Sequence, residues 1–314
     1  MAKLTRVAVV AVKEESVSGT AETLANADAD IRVIDPVFSM DVTNLERAIV
    51  SASLSGFGKV TGNQRCSITF STEIVGPGNV SPFPIPSWGK LLEASGFGKT
   101  SVGSPTVTGY QYAPISTGLK TYTVGVYRDG VRFRAAGCRA QFSIRIAAGD
   151  IAYIDWTFEG KFEDVADATI LSPTYESTVP KAVKSASFAV DGVSSHVVGT
   201  IGIDVNNNIT LKGDVNSASG FAEAIISRRQ ITGNIDPCLD DIATYNFISK
   251  MTSDNQGAFT ITIGSGTGET VTITAPKVMY SSWTEADIDG FAAQNVGLAF
   301  ARNSADDELI ISFS

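Results

Sequence analysis

The sequence has almost no histidine and little cysteine, and these scarcities limit the chemistry that it can support. Its 314 residues include one histidine, His196, and three cysteines, Cys66, Cys138 and Cys238, which lie far apart without a CxxC pair. This spacing argues against a zinc site, and the odd number of cysteines argues against a disulfide framework. No GxSxG motif surrounds a serine, so a Ser-His-Asp triad has no support. We therefore expect a structural protein with no enzymatic activity, no cofactor and no metal.

Long apolar runs and an excess of positive charge are also missing. The early run from Val7 to Val12 is too short for a cleavable signal, and a membrane span needs about 20 residues. The sequence thus predicts a protein that is made and folded in a reducing cytoplasm and does not contact a membrane. The formal net charge is −9, which argues against tight binding to a phosphate backbone.

Two stretches resemble ligand-binding motifs but depart from them at decisive positions. The GFGKT run at 96–100 has Glu93 where a phosphate loop needs its first glycine, and it follows a helix instead of leading into one. The DVNNN run at 204–208 has Ile209 and Val215 at the sixth and twelfth positions, where a calcium loop needs Gly and Glu. Both stretches are better interpreted as turns.

Glycine, serine, threonine and β-branched residues are abundant, which favours short strands joined by turns. Arg65–Val75 alternates apolar and polar residues, as expected of a strand with one buried face. Asp129-Gly130 predicts a tight hairpin turn, and a second hairpin is expected to turn at 148–150. Between these strands the sequence predicts one short helix, capped by Ser87 and stopped at Gly96 or Gly98.

The order strand, helix, hairpin recurs in the second half of the chain. There a strand ends near Asp236, a helix is expected over 238–251, and a hairpin turns at 264–268. We interpret this as duplication of one unit of about 130–160 residues, with two unrelated β domains as the alternative. The expected organisation is an N-terminal arm (1–30), a first β domain (31–164) with a long loop (39–62), a linker (165–184) and a second β domain (185–314).

The sequence resembles the major tail tube proteins of long-tailed, siphovirus-type bacteriophages over about residues 1–314, most specifically over residues 60–162. The resemblance rests on a strand that ends in an acidic residue, a W-x-x-L-L-x-x-x-G-F helix, a D-G turn and a strand that ends in F-x-G. The matching residues are Glu73, Gly76, Trp88, Leu91, Leu92, Gly96, Phe97, Asp129, Gly130, Gly137, Arg139, Phe158 and Gly160. It implies a mainly β fold of two tandem tail-tube-like β-sandwich or barrel domains, each flanked by one helix.

The resemblance also implies a function and a set of partners. The protein would be a structural component of the virion tail that forms stacked rings around a channel for DNA ejection. Its partners would be other copies of itself, a tape-measure protein, a tail terminator and transiting double-stranded DNA that is not bound specifically. If both domains are tube units, three chains make a pseudo-sixfold ring, whereas an outer decoration in the second domain would require six.

Two sets of residues are candidates for these roles. The polar sides of the predicted strands could line the channel, or could be ordinary solvent-facing surfaces: Ser67, Thr69, Ser71, Glu73, Asp155, Thr157, Glu159, Gln230, Thr232, Asn234 and Asp236. Apolar and cationic residues of the long loop could contact the adjacent ring: Leu45, Arg47, Ile49, Leu54 and Phe57.

The alternative function is a carbohydrate- or cell-surface-binding β-sandwich module of a phage baseplate or an adhesin. Such a module would expose aromatic platforms on its loops and would stay monomeric. Trp88 is instead expected on the helix and Trp283 just before a closing strand, positions where packing explains a tryptophan.

Overall fold

A computed structural model describes residues 3–78, 83–104 and 106–314. The mainly β fold expected from the sequence is confirmed: the described chain has two α-helices of six residues each, one 3-10 turn and long antiparallel strands. The strands are β1 (Ala8–Glu14), β2 (Ile34–Leu45), β3 (Val60–Glu73), β4 (Phe97–Val102), β5 (Gly109–Pro114), β6 (Tyr122–Arg128), β7 (Val131–Ala147), β8 (Tyr153–Asp167), β9 (Ser187–Val190), β10 (Val198–Asp204), β11 (Asn208–Gly213), β12 (Phe221–Arg228), β13 (Thr232–Pro237), β14 (Gln256–Ile263), β15 (Val271–Ile288), β16 (Phe291–Ala301) and β17 (Ile310–Phe313). The helices are α1 (Gly89–Ala94) and α2 (Phe247–Thr252), and the 3-10 turn is Asn26–Ala29.

Eight of these strands form a continuous antiparallel run, which we call the long sheet. Its order is β2-β3-β8-β7-β10-β13-β16-β15, so each half of the chain contributes four adjacent strands. Strands β6 and β1 extend the sheet from the first part of β7, and β14 and β9 extend it from the first part of β15. The β11–β12 hairpin pairs only with itself in the described chain.

The two halves have the same topology. The neighbour order is β2-β3-β8-β7-β6-β1 in the first half and β10-β13-β16-β15-β14-β9 in the second. Within these series β3, α1 and the β6–β7 hairpin correspond to β13, α2 and the β14–β15 hairpin. The recurrence of strand, helix and hairpin in the sequence is therefore matched by a recurrence of strand pairing.

The halves are joined through hydrogen-bonded strands and a shared core. The end of β7 pairs with β10, and β5 of the first half pairs with the C-terminal strand β17. One buried cluster contains residues of both halves, and the rings of Trp88 and Phe313 lie edge to face with centroids 4.9 Å apart. Such contacts bury apolar area that neither half could bury alone.

The N-terminal residues are more integrated than the expected arm. Strand β1 pairs with β6 along its whole length, and its side chains at Val10 and Val12 are buried in the main core. Val9 and Ala11 are buried on the opposite face, in a second small cluster. A strand that is buried on both faces has no alternation to recognise in the sequence.

Two connections are shorter than the sequence suggested. Strand β2 continues to Leu45 and β3 begins at Val60, so the loop expected over 39–62 covers only 46–59. Strand β8 extends to Asp167, which shortens the expected linker at its start. Strand β2, a polar strand at the edge of the sheet, lacks the regular alternation that marks a half-buried strand.

Both helices are shorter than expected and differ in their caps. Helix α1 follows Trp88, which has helical backbone angles, and the expected cap Ser87 instead donates its backbone N–H to Glu176 Oε1 at 2.9 Å. Gly96 ends this segment at φ +83°, as expected for a helix stop. Helix α2 does not cover 238–251, because Asn246 caps it by accepting a hydrogen bond from the Ser249 N–H.

Candidate functional site

The long sheet has one apolar and one polar face because side chains alternate along each strand. Its apolar face is part of the core, where Ile68, Ile144 and Trp156 are almost completely buried. The opposite face is half-buried to exposed and is lined mainly by serine, threonine and charged residues. We call it the polar face.

The candidate residues of the first half lie together on this polar face. The register of β3 with β8 places Ser67 opposite Glu159, and Thr69 opposite Thr157. Ser71 lies opposite Asp155, and Glu73 opposite Tyr153, in the same register. Cross-strand neighbours of this kind have side chains in contact distance, so residues that are about 90 positions apart in sequence form one surface.

Sequence reasoning missed the part of the polar face that β7 contributes. Gln141, Ser143 and Arg145 project from it beside β8, and Ser143 is also paired with Asp204 of β10. The signal was present, because these residues alternate with Phe142, Ile144 and Ile146 in the run QFSIRI. The pairing with β10 joins this surface to that of the second half.

The candidates of the second half occupy β13, with one exception. Thr232 and Asn234 are paired with β10 and β16, while Gln230 precedes the strand. Asp236 has a local structural contact: its Oδ1 accepts hydrogen bonds from the backbone N–H groups of Gly199 and Thr200, at 2.8 and 2.6 Å. It therefore fixes the beginning of β10 as well as contributing a carboxylate.

The charges on the polar face are mixed and partly paired. Arg145 Nη2 donates to Asp155 Oδ1 at 2.9 Å, and this hydrogen bond, with a second one from Ser71, lowers the pKa of Asp155. Burial raises the pKa of Glu159, and a hydrogen bond from Ser67 partly offsets this rise. A cation thus neutralises part of the acidic surface that the sequence suggested.

The candidate inter-ring residues are on the surface, with Leu45 at the end of β2 and the other four in the loop at 46–59. Leu54 is fully exposed, and Leu45, Ile49 and Phe57 have between 43 and 52% of their surface accessible. The Arg47 guanidinium lies 5.7 Å from the centre of the Phe57 ring. Solvent-exposed apolar side chains that are clustered in one loop are typical of a surface that contacts another molecule.

The described residues offer little that resembles a catalytic centre. His196 packs against the rings of Tyr245 and Phe247, with ring centroids 4.8 and 5.2 Å away. In the described ranges no group of three or more His, Cys, Asp or Glu residues could hold a metal ion. Neither of the two six-residue α-helices has the length and hydropathy that crossing a membrane would require.

The aromatic side chains are arranged for packing. Trp88 and Trp156 are buried, their indole N–H groups donating to Val75 O and Thr72 Oγ1. Trp283 is half-buried and donates to Gln294 Oε1 at 2.7 Å. The described tryptophans therefore do not form the exposed platform that a carbohydrate-binding module would present.

Comparison with known proteins gives one result that covers nearly the whole chain. Residues 5–312 match the family model described as phage tail tube protein. No curated protein matches the sequence. The family match and the β-rich fold identify a structural component of the virion tail, and the chain belongs to the phage tail tube protein family.

Proposed function

We propose that three copies of this chain close into a ring and that the rings stack into a tail tube through which DNA is ejected. The observation that supports this most strongly is the long sheet. It has a polar face, and within the described chain β2 and the far part of β15 each have a strand partner on one side only. Free sheet edges favour association with further strands, and closure into a barrel removes them.

The repeated topology supports three copies in preference to six. The second half continues the same sheet as the first, which supports a tube unit there in preference to an outer decoration. Each chain then supplies two four-stranded units. Three chains give a pseudo-sixfold barrel of twenty-four strands, and heterologous contacts that close by rotation form such rings.

The polar face would line the channel. Its hydroxyl, amide and carboxylate groups offer no apolar surface for DNA bases, and the net charge of −9 keeps the phosphate backbone from adhering. The ion pair between Arg145 and Asp155 prevents this cation from acting as a free phosphate ligand. DNA would therefore pass without specific binding.

Contact between rings would come from the loop at 46–59. Its exposed apolar side chains would be buried against the adjacent ring, which would also order the loop on stacking. Rings joined in this way remain open to further addition, so they form a filament. During assembly a tape-measure protein would occupy the channel and a tail terminator would end the stack. The chain itself would be synthesised in the host cytoplasm before assembly.

Electron microscopy of the concentrated purified protein tests this function. We expect hollow stacked rings with threefold rotational symmetry in end views. A persistent monomer that binds glycans would contradict the tube and support the carbohydrate- or cell-surface-binding alternative. Rings of six chains would preserve the tube but contradict the proposed stoichiometry.

A further inference from the structure

The internal junction between β7 and β10 shows how two four-stranded units join. It aligns Ile201 with Ile146 and Ile203 with Ile144, and all four side chains are buried. The junction continues the long sheet without a break, with antiparallel pairing. If each chain carries two equivalent units, its two outer edges should be able to form the same kind of junction with another copy.

Matching irregularities establish which residues of the two halves correspond. Strand β7 has two register shifts opposite β8, the second of them just before Arg139, and β15 has one just before Ser282, opposite β16. Aligning these two residues also aligns Ile68 of β3 with Ile235 of β13, and both are completely buried. The alignment was defined on β7 and β15, so its agreement with the packing of β3 and β13 is an independent check.

The same alignment identifies the two outer edges as the two sides of a junction. Phe38 and Met40 of β2 correspond to Ile201 and Ile203 of β10. Strand β2 is thus the counterpart of β10, and the part of β15 after Ser282 is the counterpart of the part of β7 that binds β10. The β15 edge of one copy can therefore pair antiparallel with the β2 edge of the next copy, as β7 pairs with β10 inside the chain.

Both edges are open in the described chain. The pairing of β15 with β14 stops at Met279, so beyond it β15 has only β16 as a neighbour. Strand β2 pairs only with β3. Exposed apolar side chains lie along both edges, with Val37 and Met40 on β2 and Ile288 on β15. Open, partly apolar edges of this kind are uncommon unless another strand covers them.

Applying the register of the β7–β10 junction to the two outer edges predicts which residues pair between copies. Ser143 pairs with Asp204 inside the chain, and the corresponding pair between copies is Ala286 with Asp41. The turn Asp289-Gly290, which joins β15 to β16, then reaches the first residues of β2 in the neighbouring copy.

A cleft of about 690 Å³ lies at that position. It is lined by residues 33–37, Thr5, Ala8 and two arginines, Arg6 and Arg128. Arg128 Nη2 donates to Pro36 O, whereas its Nε has no hydrogen-bond partner among the described residues. The internal junction has a cleft at the equivalent place, where Ala148 of the turn after β7 lines it with Gly199 of β10.

The β15–β16 turn complements this cleft in charge and in hydrophobicity. The Asp289 carboxylate would face the two arginines, which outnumber Asp35, the acidic residue of the lining. The ring of Phe291, directly after the turn, would cover apolar lining residues such as Val33 and Val37.

We propose that the far edge of β15 in one copy pairs antiparallel with β2 of the next, with Ala286 opposite Asp41, and that the turn at 289–290 enters the arginine-lined cleft. This inference rests on the proposed function, because it specifies the contact that closes the ring. The junction between copies then repeats the backbone register of the junction inside each copy, although Asp287 and Asp289 stand where the internal junction has Ile144 and Ile146. Three chains therefore make six seams, three within chains and three between them.

Cysteine cross-linking tests the seam directly. The double variant Asp41→Cys/Ala286→Cys, in a Cys238→Ser background, is assembled and oxidised, because paired strand positions come close enough for a disulfide. The variant Ser143→Cys/Asp204→Cys is the matched positive control, since it occupies the equivalent positions of the internal junction. In the negative control, Asp41→Cys/Asn295→Cys, the second cysteine lies on β16, one strand away from the open edge.

We expect the seam variant to form covalent oligomers up to three chains, the positive control to form an intrachain disulfide, and the negative control to stay monomeric on a denaturing gel. If the seam variant stays monomeric on the gel although electron microscopy shows rings, the proposed seam is wrong and the tube is still supported. Failure of the unmodified protein to form rings at all would instead contradict the proposed function. Cross-linked ladders that extend to six chains would support the seam and contradict the three-chain ring.

Discussion

Asp155 and Glu159 lie four residues apart on the polar face of β8, and their environments shift their pKa values in opposite directions. Arg145 and Ser71 donate hydrogen bonds to Asp155 and lower its pKa. Burial raises the pKa of Glu159, and the bond from Ser67 only partly offsets this. One carboxylate therefore stabilises the folded subunit when charged, and the other costs stability.

The substitution Asp155→Asn should lower the free energy of unfolding at pH 7 by about 0.5 kcal/mol, a small value because the ion pair is more than a third exposed. A lowered folded-state pKa contributes stability that is complete above the unfolded pKa and is lost as pH falls through the folded value. The difference from the unmodified protein should therefore disappear in strong acid. Urea unfolding of dilute, unassembled subunit at pH 7 and at about pH 2.5 measures it.

The substitution Glu159→Gln serves as the contrasting control. Because its folded-state pKa is raised, this carboxyl stabilises the fold below its unfolded pKa and loses that contribution as pH rises through the folded value. At pH 7 the glutamine variant should be as stable as the unmodified subunit or more so. A loss equal to that of Asp155→Asn would show that the two environments have been misassigned.

At the scale of elements, the Asp129-Gly130 turn shows how much a local signal can determine. Both residues have positive φ, +42° and +87°, and they connect β6 to β7 as the sequence predicted. Gly130→Ala should destabilise the subunit by about 1 kcal/mol, since an alanine is strained in this left-handed conformation. Thermal unfolding beside the control Gly58→Ala, where an added Cβ meets nothing within 4 Å, measures the effect. If the two variants were equally stable, backbone strain at position 130 would not be the cause of the predicted loss.

Local signals predicted the alternating strands and the tight turns but not the elements that depend on distant partners. Strand β1 was missed because both of its faces are buried, and Leu45 was assigned to a loop because its edge strand has no regular pattern. The polar residues of β3 and β8 were predicted as candidates, and the structure brings them onto one face. The pairing of β7 with β10, and of β5 with β17, joins segments too far apart in sequence for any local pattern to indicate.

The loop at 46–59 is an element whose side chains should matter for assembly and not for folding. Leu54→Ser/Phe57→Ser should change the free energy of unfolding by less than about 0.5 kcal/mol, because both side chains are exposed. Tube length in electron micrographs should fall several-fold, leaving single rings. Val215→Ser is the control, since Val215 is equally exposed but lies outside the loop. Full-length tubes from the double variant would contradict the stacking role.

For the whole molecule, the shared core and the interleaved strands should make the two halves unfold together. Calorimetry of the dilute subunit should show one cooperative transition. Ile203→Ala, at the centre of the β7–β10 junction, should lower the free energy of unfolding by about 2–4 kcal/mol and shift that single transition. Two separate transitions, only one of which moves in the variant, would show that the halves fold independently.

In the described chain the long sheet has two halves of the same topology, one polar face and two open edges, and the proposed ring would close those edges. A helical reconstruction of the assembled tube by electron cryomicroscopy tests this most directly. We expect three chains per ring, a closed barrel of twenty-four strands, and Ser67, Asp155 and Asn234 facing the lumen. A tube in which these residues face outward, or in which β2 and β15 of adjacent copies are not neighbours, would contradict the account.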